Sequence, residues 1–182
     1  MGESPAQGGL SVEAEAVLAV LERNRRTFAW KTGGLDHSGL AATAAASSMT
    51  LGGLVKHMAL VEADWLVVKL AGLPYGPPWE EVDFDADPDW EWRTGAQDAP
   101  EEAYALWRSA VQRSRDVVAG VLREAGLDAA ARFTREDGRT PSVREMLLDM
   151  IEEYARHTGH ADLLRESVDG LVGEGAPQEF HL

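Results

Sequence analysis

Residues able to do metal chemistry fall at two places in this chain. One is His57, at the end of Gly52-Gly53-Leu54-Val55-Lys56-His57; the other is the late run Glu153-Tyr154-Ala155-Arg156-His157-Thr158-Gly159-His160. Glu153 and His157 are four apart, the spacing that stacks two side chains on one face of a helix. Both follow the apolar register set by Met150, where a carboxylate is costly to bury unless a cation compensates it. His57 lies three residues after Leu54 and four before Val61, so it too shares a face with core positions. A lone histidine there more often finds an ordinary hydrogen-bond partner than an ion. Two imidazoles and one carboxylate together, however, form the ligand set of catalytic zinc and of non-haem iron(II), with positions left open for water or substrate. Zinc is the first expectation for the ion, with nickel or iron as alternatives.

His160 admits two roles. It could pair with His157 as a ligand in place of Glu153, the lower-ranked arrangement, or act beside the ion as a proton-transferring or substrate-contacting group. Gly159 costs about 1 kcal/mol relative to alanine inside a helix, and a close backbone approach beside the site would explain it. His37 and His181, in a loop and in the tail, receive no role. Arg156 and Arg165 read as solvated or ion-paired, and Tyr154 as a core residue with a bonded hydroxyl.

Four long helices must position these groups. The first starts at Ser11, carries Glu13 and Glu15 in its opening turn, buries Val17, Val20, Leu21 and Phe28, and stops before Gly33-Gly34. Thr50 caps the second, whose Leu51, Leu54, Val55, Met58, Val61 and Trp65 recur at helical spacing up to Gly72. From Leu73 to Asp98 four prolines break the pattern, and acidic residues alternate with Trp79, Phe84, Trp90 and Trp92. The expectation there is a long crossover pinned to the bundle by its aromatics, with a substrate-cleft lining as the sharper alternative. Asp98 with Glu101 reads as a capping box opening a third helix through Tyr104, Trp107, Val111, Val118 and Leu122, and Ser142 with Glu145 opens the fourth. If helices two and four run antiparallel, His57, about 10 Å from the start of its helix, and His157, about 13 Å from the end of its own, meet at one level. The tail beyond Gly170 lacks periodicity and reads as loosely held.

Composition removes several alternatives. With 31 Asp plus Glu against 17 Lys plus Arg, a formal charge of −14 repels polyanions, so nucleic acid is a poor partner. No cysteine occurs, which excludes disulfides, thiolate zinc sites and a cysteine nucleophile, so any thiol chemistry must use a thiol supplied by the substrate. There is no signal-like start and no apolar run of the roughly 20 residues that span a bilayer. A cytoplasmic protein is the expectation.

The helix-two segment and the run Glu153 to Glu166 together resemble the DinB-like superfamily, specifically the actinobacterial branch similar to mycothiol-dependent maleylpyruvate isomerase. The resemblance spans about Leu10 to about Gly170. It implies an all-α DinB-like four-helix bundle of up-down-down-up topology with a long crossover between helices two and three. Residues 1–170 would form one domain and 171–182 its tail, and a homodimer is implied as possible. The family's first histidine matches His57 and its last ligand His157. Glu153 matches the His/Glu/His set of thiol-dependent members, whereas His160 stands where many relatives have glutamine. The implied activity is a metal-dependent S-transferase or isomerase. In it, the ion activates a low-molecular-weight thiol, mycothiol or bacillithiol, against an electrophilic substrate. A non-catalytic, metal-stabilised binding or stress-response module is the alternative.

Overall fold

Ser11 opens the first helix because its hydroxyl accepts the Ala14 amide at 3.1 Å, and α1 then runs over Val12–Thr32. The described residues of the computed structural model are 9–44 and 46–181. Ala14, Leu21 and Phe28 are buried on α1, but so are Arg25 and Lys31, two cations that a purely apolar stripe does not anticipate. A short helix, α2 (His37–Ala41), follows in what the sequence suggests is loop; the Asp36 carboxylate caps it by accepting the Gly39 amide at 2.9 Å.

The Thr50 hydroxyl accepts the Gly53 amide at 3.0 Å and starts α3 (Leu51–Val61). The helix continues unbroken into a π-helical stretch, Glu62–Lys69, and the chain leaves it through Gly72 at φ 70°. Wider winding of this kind often accompanies functional sites. Here Glu62 and Leu66 are fully buried while Asp64 and Trp65 lie at the rim.

The crossover is more structured than its prolines suggest. Trp79–Glu81 forms a single 3₁₀ turn, and residues Trp90–Gly95 form a helix, α4. Helix α4 packs backbone against backbone on the first turn of α3. A Cβ on Gly52 would lie 2.3 Å from the Gly95 carbonyl oxygen, and one on Gly95 would lie 2.7 Å from that of Gly52. Only glycine permits this approach, which seats Glu91 and Trp92 beside α3. Trp79 is buried and meets Trp90 edge to face at 5.9 Å, so these aromatics do pin the crossover.

Helix α5 (Pro100–Ala125) begins without the expected capping box. Ala99 is the N-cap, proline fills the first helical position, and the Asp98 carboxylate instead receives the Lys56 ammonium at 2.8 Å. Helix α6 (Val143–Asp169) does carry its box, with Ser142 and Glu145 capping each other reciprocally, and it ends at Gly170 in the left-handed conformation. Helix α1 packs along α6, α5 packs along α3 and its π-helical continuation, and α3 also meets α1 and α6. The architecture is all-helical, with no strand among the described residues. None of these helices is long and apolar enough to cross a membrane. Past α6, the Arg26 guanidinium donates to the backbone carbonyls of Pro177 and Phe180.

At the centre of this packing lies a closed polar network. The Arg25 guanidinium donates to both Glu62 carboxylate oxygens, at 2.8 and 2.6 Å. The Tyr154 hydroxyl donates to Glu62 Oε1 at 2.6 Å, and the Trp107 indole donates to the Tyr154 oxygen at 3.0 Å. Burial first, and then the Glu62 charge, hold the Tyr154 phenol protonated far above its ordinary range. The charge of Glu62 is compensated from within the chain.

Candidate metal centre

More than one turn before Glu62, on α3, and on either side of Tyr154, on α6, a second polar cluster comes together. One donor atom from each of His57, Glu153 and His157 can be chosen so that all lie within 4.8 Å of one another. His157 Nε2 is 3.3 Å from Glu153 Oε2, and the His57 and His157 rings meet at 4.8 Å between centroids. The i,i+4 pair on α6 follows from helical geometry. The arrival of His57 follows from packing of α3 against α6.

Burial grades across the cluster. The His157 side chain is 9% exposed, that of His57 19% and that of Glu153 26%. Burial, followed by the neighbouring His57 and His160 and by Arg156, lowers the pKa of His157 to about 4. The imidazole is therefore neutral near pH 7, the form that offers a lone pair to a cation. Donor type and spacing both suit a divalent ion. Tetrahedral zinc with nitrogen and oxygen ligands at about 2.0–2.1 Å needs donors roughly 3.4 Å apart, a separation already present between His157 and Glu153.

Two residues of α4 hold the His57 ring. Trp92 stacks on it at 4.2 Å with an interplanar angle of 22°, and Glu91 Oε1 lies 3.2 Å from its Nδ1. Glu91 is 5% exposed, and its second oxygen has no hydrogen-bond partner among the described residues.

On the open side, His57 and Glu153 form part of the wall of a cleft of about 400 Å³, otherwise lined mainly by apolar and aromatic side chains that include Leu60, Trp65, Tyr75 and Phe84. The one other carboxylate in that lining, Asp64, accepts the Tyr75 hydroxyl and pairs with the Lys69 ammonium at 2.5 Å. Burial and then Asp64 keep the Tyr75 phenol protonated well above its usual range. The crossover aromatics thus divide their roles, since Trp79 and Trp90 anchor while Phe84 faces the cleft.

His160 stands outside the three-donor group, with its Nδ1 3.4 Å from Nδ1 of His157. No close approach explains Gly159: a Cβ there would meet nothing within 4 Å. His37 and His181 are exposed. Arg156 pairs with Glu152 on the surface, whereas Arg165 is buried and donates to the Gly33 carbonyl at 2.5 Å. Sequence reasoning misses Glu91 altogether. Its one signal is a carboxylate between two tryptophans, Trp90 and Trp92, in a segment otherwise read as irregular.

A family model described as Mycothiol-S-transferase matches residues 16–170. No curated protein matches the chain.

Proposed function

Because this chain belongs to the mycothiol S-transferase family, a DinB-like family, we propose that it is a divalent-metal-dependent S-transferase. In this reading a low-molecular-weight thiol of the mycothiol type is joined to an electrophile. The observation that carries it is the convergence of His57, Glu153 and His157 within 4.8 Å in the wall of an apolar cleft. His57 and His157 would hold the ion through neutral imidazoles, and Glu153 would offset part of its charge. Bound there, a divalent cation supplies one thing to the chemistry, a lowered pKa for a coordinated thiol, so that thiolate prevails at neutral pH. This replaces the nucleophile that a cysteine-free chain lacks.

His160, against His157 and half-buried, is placed to take up the thiol proton or to contact the thiol. The electrophile would occupy the cleft, with Trp65, Tyr75 and Phe84 excluding water from it. The lining of the cleft carries two carboxylates, Asp64 and Glu153, and no lysine or arginine among the described residues, so an uncharged, apolar electrophile fits better than a dicarboxylate. That favours transfer over isomerisation of an acidic substrate. Zinc as the ion, the up-down-down-up bundle, residues 1–170 as one domain with 171–182 as its tail, and a homodimer belong to the same reading.

The test is elemental analysis of protein purified without an affinity tag, for the native chain and for His57→Ala and His157→Ala. About one divalent ion per native chain and loss in both variants is expected; full retention in both would overturn the ligand assignment. With cobalt(II) as the ion, added mycothiol should produce a sulfur charge-transfer band. An unchanged spectrum would favour the non-catalytic module.

A further inference from the structure

Buried charges in this protein ordinarily come with a full opposite charge. Glu62 has Arg25 at 2.6 Å, and the buried Lys31 and Lys56 have Asp162 and Asp98 at 2.7 and 2.8 Å. Glu91 breaks the pattern. It is 5% exposed, and among the described residues its only ion-pair partner is His57 and one of its oxygens has no hydrogen-bond partner. Burying a carboxylate this way is costly, and a histidine is a weak reason to do so unless the histidine itself faces a cation.

The surroundings of Glu91 are also built rather than incidental. Gly52 and Gly95 let α4 lie on α3 at a distance no other residue allows, and Trp92, next in sequence to Glu91, covers one face of the His57 ring. The imidazole is thereby held in its plane by Trp92 and along its Nδ1 edge by Glu91.

We propose that Glu91 is a positioning residue for the metal centre. Its carboxylate accepts the Nδ1–H of His57 and so leaves Nε2 as the lone pair of that ring. A carboxylate on the far nitrogen of a metal-binding imidazole fixes its tautomer and raises its basicity, and loss of such a partner costs typically about 10–100-fold in metal affinity. The added negative charge also balances the site. Two carboxylates, Glu91 and Glu153, together offset the charge of one dication.

This inference rests on the reading of His57 as a ligand, and two measurements separate the two. Long-range proton–nitrogen NMR of the metal-free protein reports the His57 tautomer directly. The Nδ1–H form is expected in the native chain and its loss in Glu91→Ala; an Nε2–H form in the native chain would overturn the proposal. Competition with a chromophoric zinc chelator then gives affinities. Glu91→Ala should bind zinc about 10–100-fold more weakly, and Glu91→Gln, whose amide oxygen can still accept the Nδ1–H, should recover part of the loss. Equal affinity in Glu91→Ala and the native chain would overturn the role of Glu91 alone. No zinc binding by the native chain would overturn the metal reading and this inference with it.

Discussion

Helices α3 and α6 meet at two polar clusters, and the two are completed differently. At the inner one, Glu62, Tyr154 and Trp107 are closed by Arg25 from α1, so every charge has a partner from the chain. At the outer one, His57, Glu153 and His157 converge with Glu91 behind them, and neither carboxylate is paired with an arginine or lysine among the described residues. The inner cluster is 0–2% exposed, whereas the outer one opens on a cleft of about 400 Å³. The lesson is about where the cation comes from. A buried carboxylate compensated from within the fold is a stability element, and one lacking such compensation beside two imidazoles is, in the proposed reading, a place for an ion.

The sharpest way to break this comparison is to remove the inner anion. Glu62→Ala leaves the buried Arg25 with the partly exposed Glu22 as its one remaining carboxylate partner among the described residues and removes the acceptor of the Tyr154 hydroxyl, and should cost about 3 kcal/mol in urea unfolding. Metal stoichiometry of whatever folded protein remains should be unchanged. A loss under about 1 kcal/mol would show that the inner pair is not what closes the core. The outer cluster should behave in the opposite way, with stability that depends on what is added. At free zinc about a thousand-fold above its Kd, linkage stabilises the native chain by about 4 kcal/mol. EDTA should therefore lower its melting temperature by several degrees and leave that of His57→Ala unmoved. A native chain indifferent to EDTA would place both clusters in the structural class.

Acid should separate the clusters next. Unfolded, His157 takes up a proton near its ordinary pKa of 6.5; folded and metal-free, it does so only near 4. The unfolded chain thus binds more protons between these values. The stability contributed by neutral His157 is fully present above about pH 6.5 and is lost as pH falls toward 4, to the extent of about 3 kcal/mol. A series of metal-free melting curves from pH 7 to pH 4.5 should show this slope, and His157→Gln should flatten it. An equally steep slope in that variant would move the acid sensitivity elsewhere. The smallest effect is a gain. Gly159→Ala adds a methyl into open space in the middle of α6 and should stabilise the protein by about 1 kcal/mol, read by urea unfolding, with metal content intact. Destabilisation instead would reveal a neighbour at that surface.

Much of the outer cluster was legible in the sequence, because the signal was local. Glu153 and His157 four apart on an apolar register, with the Ser142 and Glu145 box to start their helix, needed only helical periodicity. The same local logic failed at Asp98 and Glu101, where a capping-box spacing was outbid by a tertiary partner, the Lys56 ammonium. It failed again over Leu73 to Asp98, where prolines masked a short helix that exists because Gly52 and Gly95 let it rest on α3. Of the inner cluster only Tyr154, a core residue with a bonded hydroxyl, and Trp107 on a buried stripe were legible; its ion pair was not. Arg25 and Glu62 carry no local signal of their pairing, and no spacing links residues on different helices.

The amino-acid order by itself therefore determined the helical elements, most of their caps and the Glu153/His157 pair, since each is set within one or two turns by backbone hydrogen bonding and a 3.6-residue repeat. Tertiary structure decided the rest: that His57 reaches that pair, that Trp92 and Glu91 hold its ring, and that Arg25 and not an ion compensates Glu62. The physical reason is that burial, and with it the need for a counter-charge, belongs to the packed helices together and to no one of them alone.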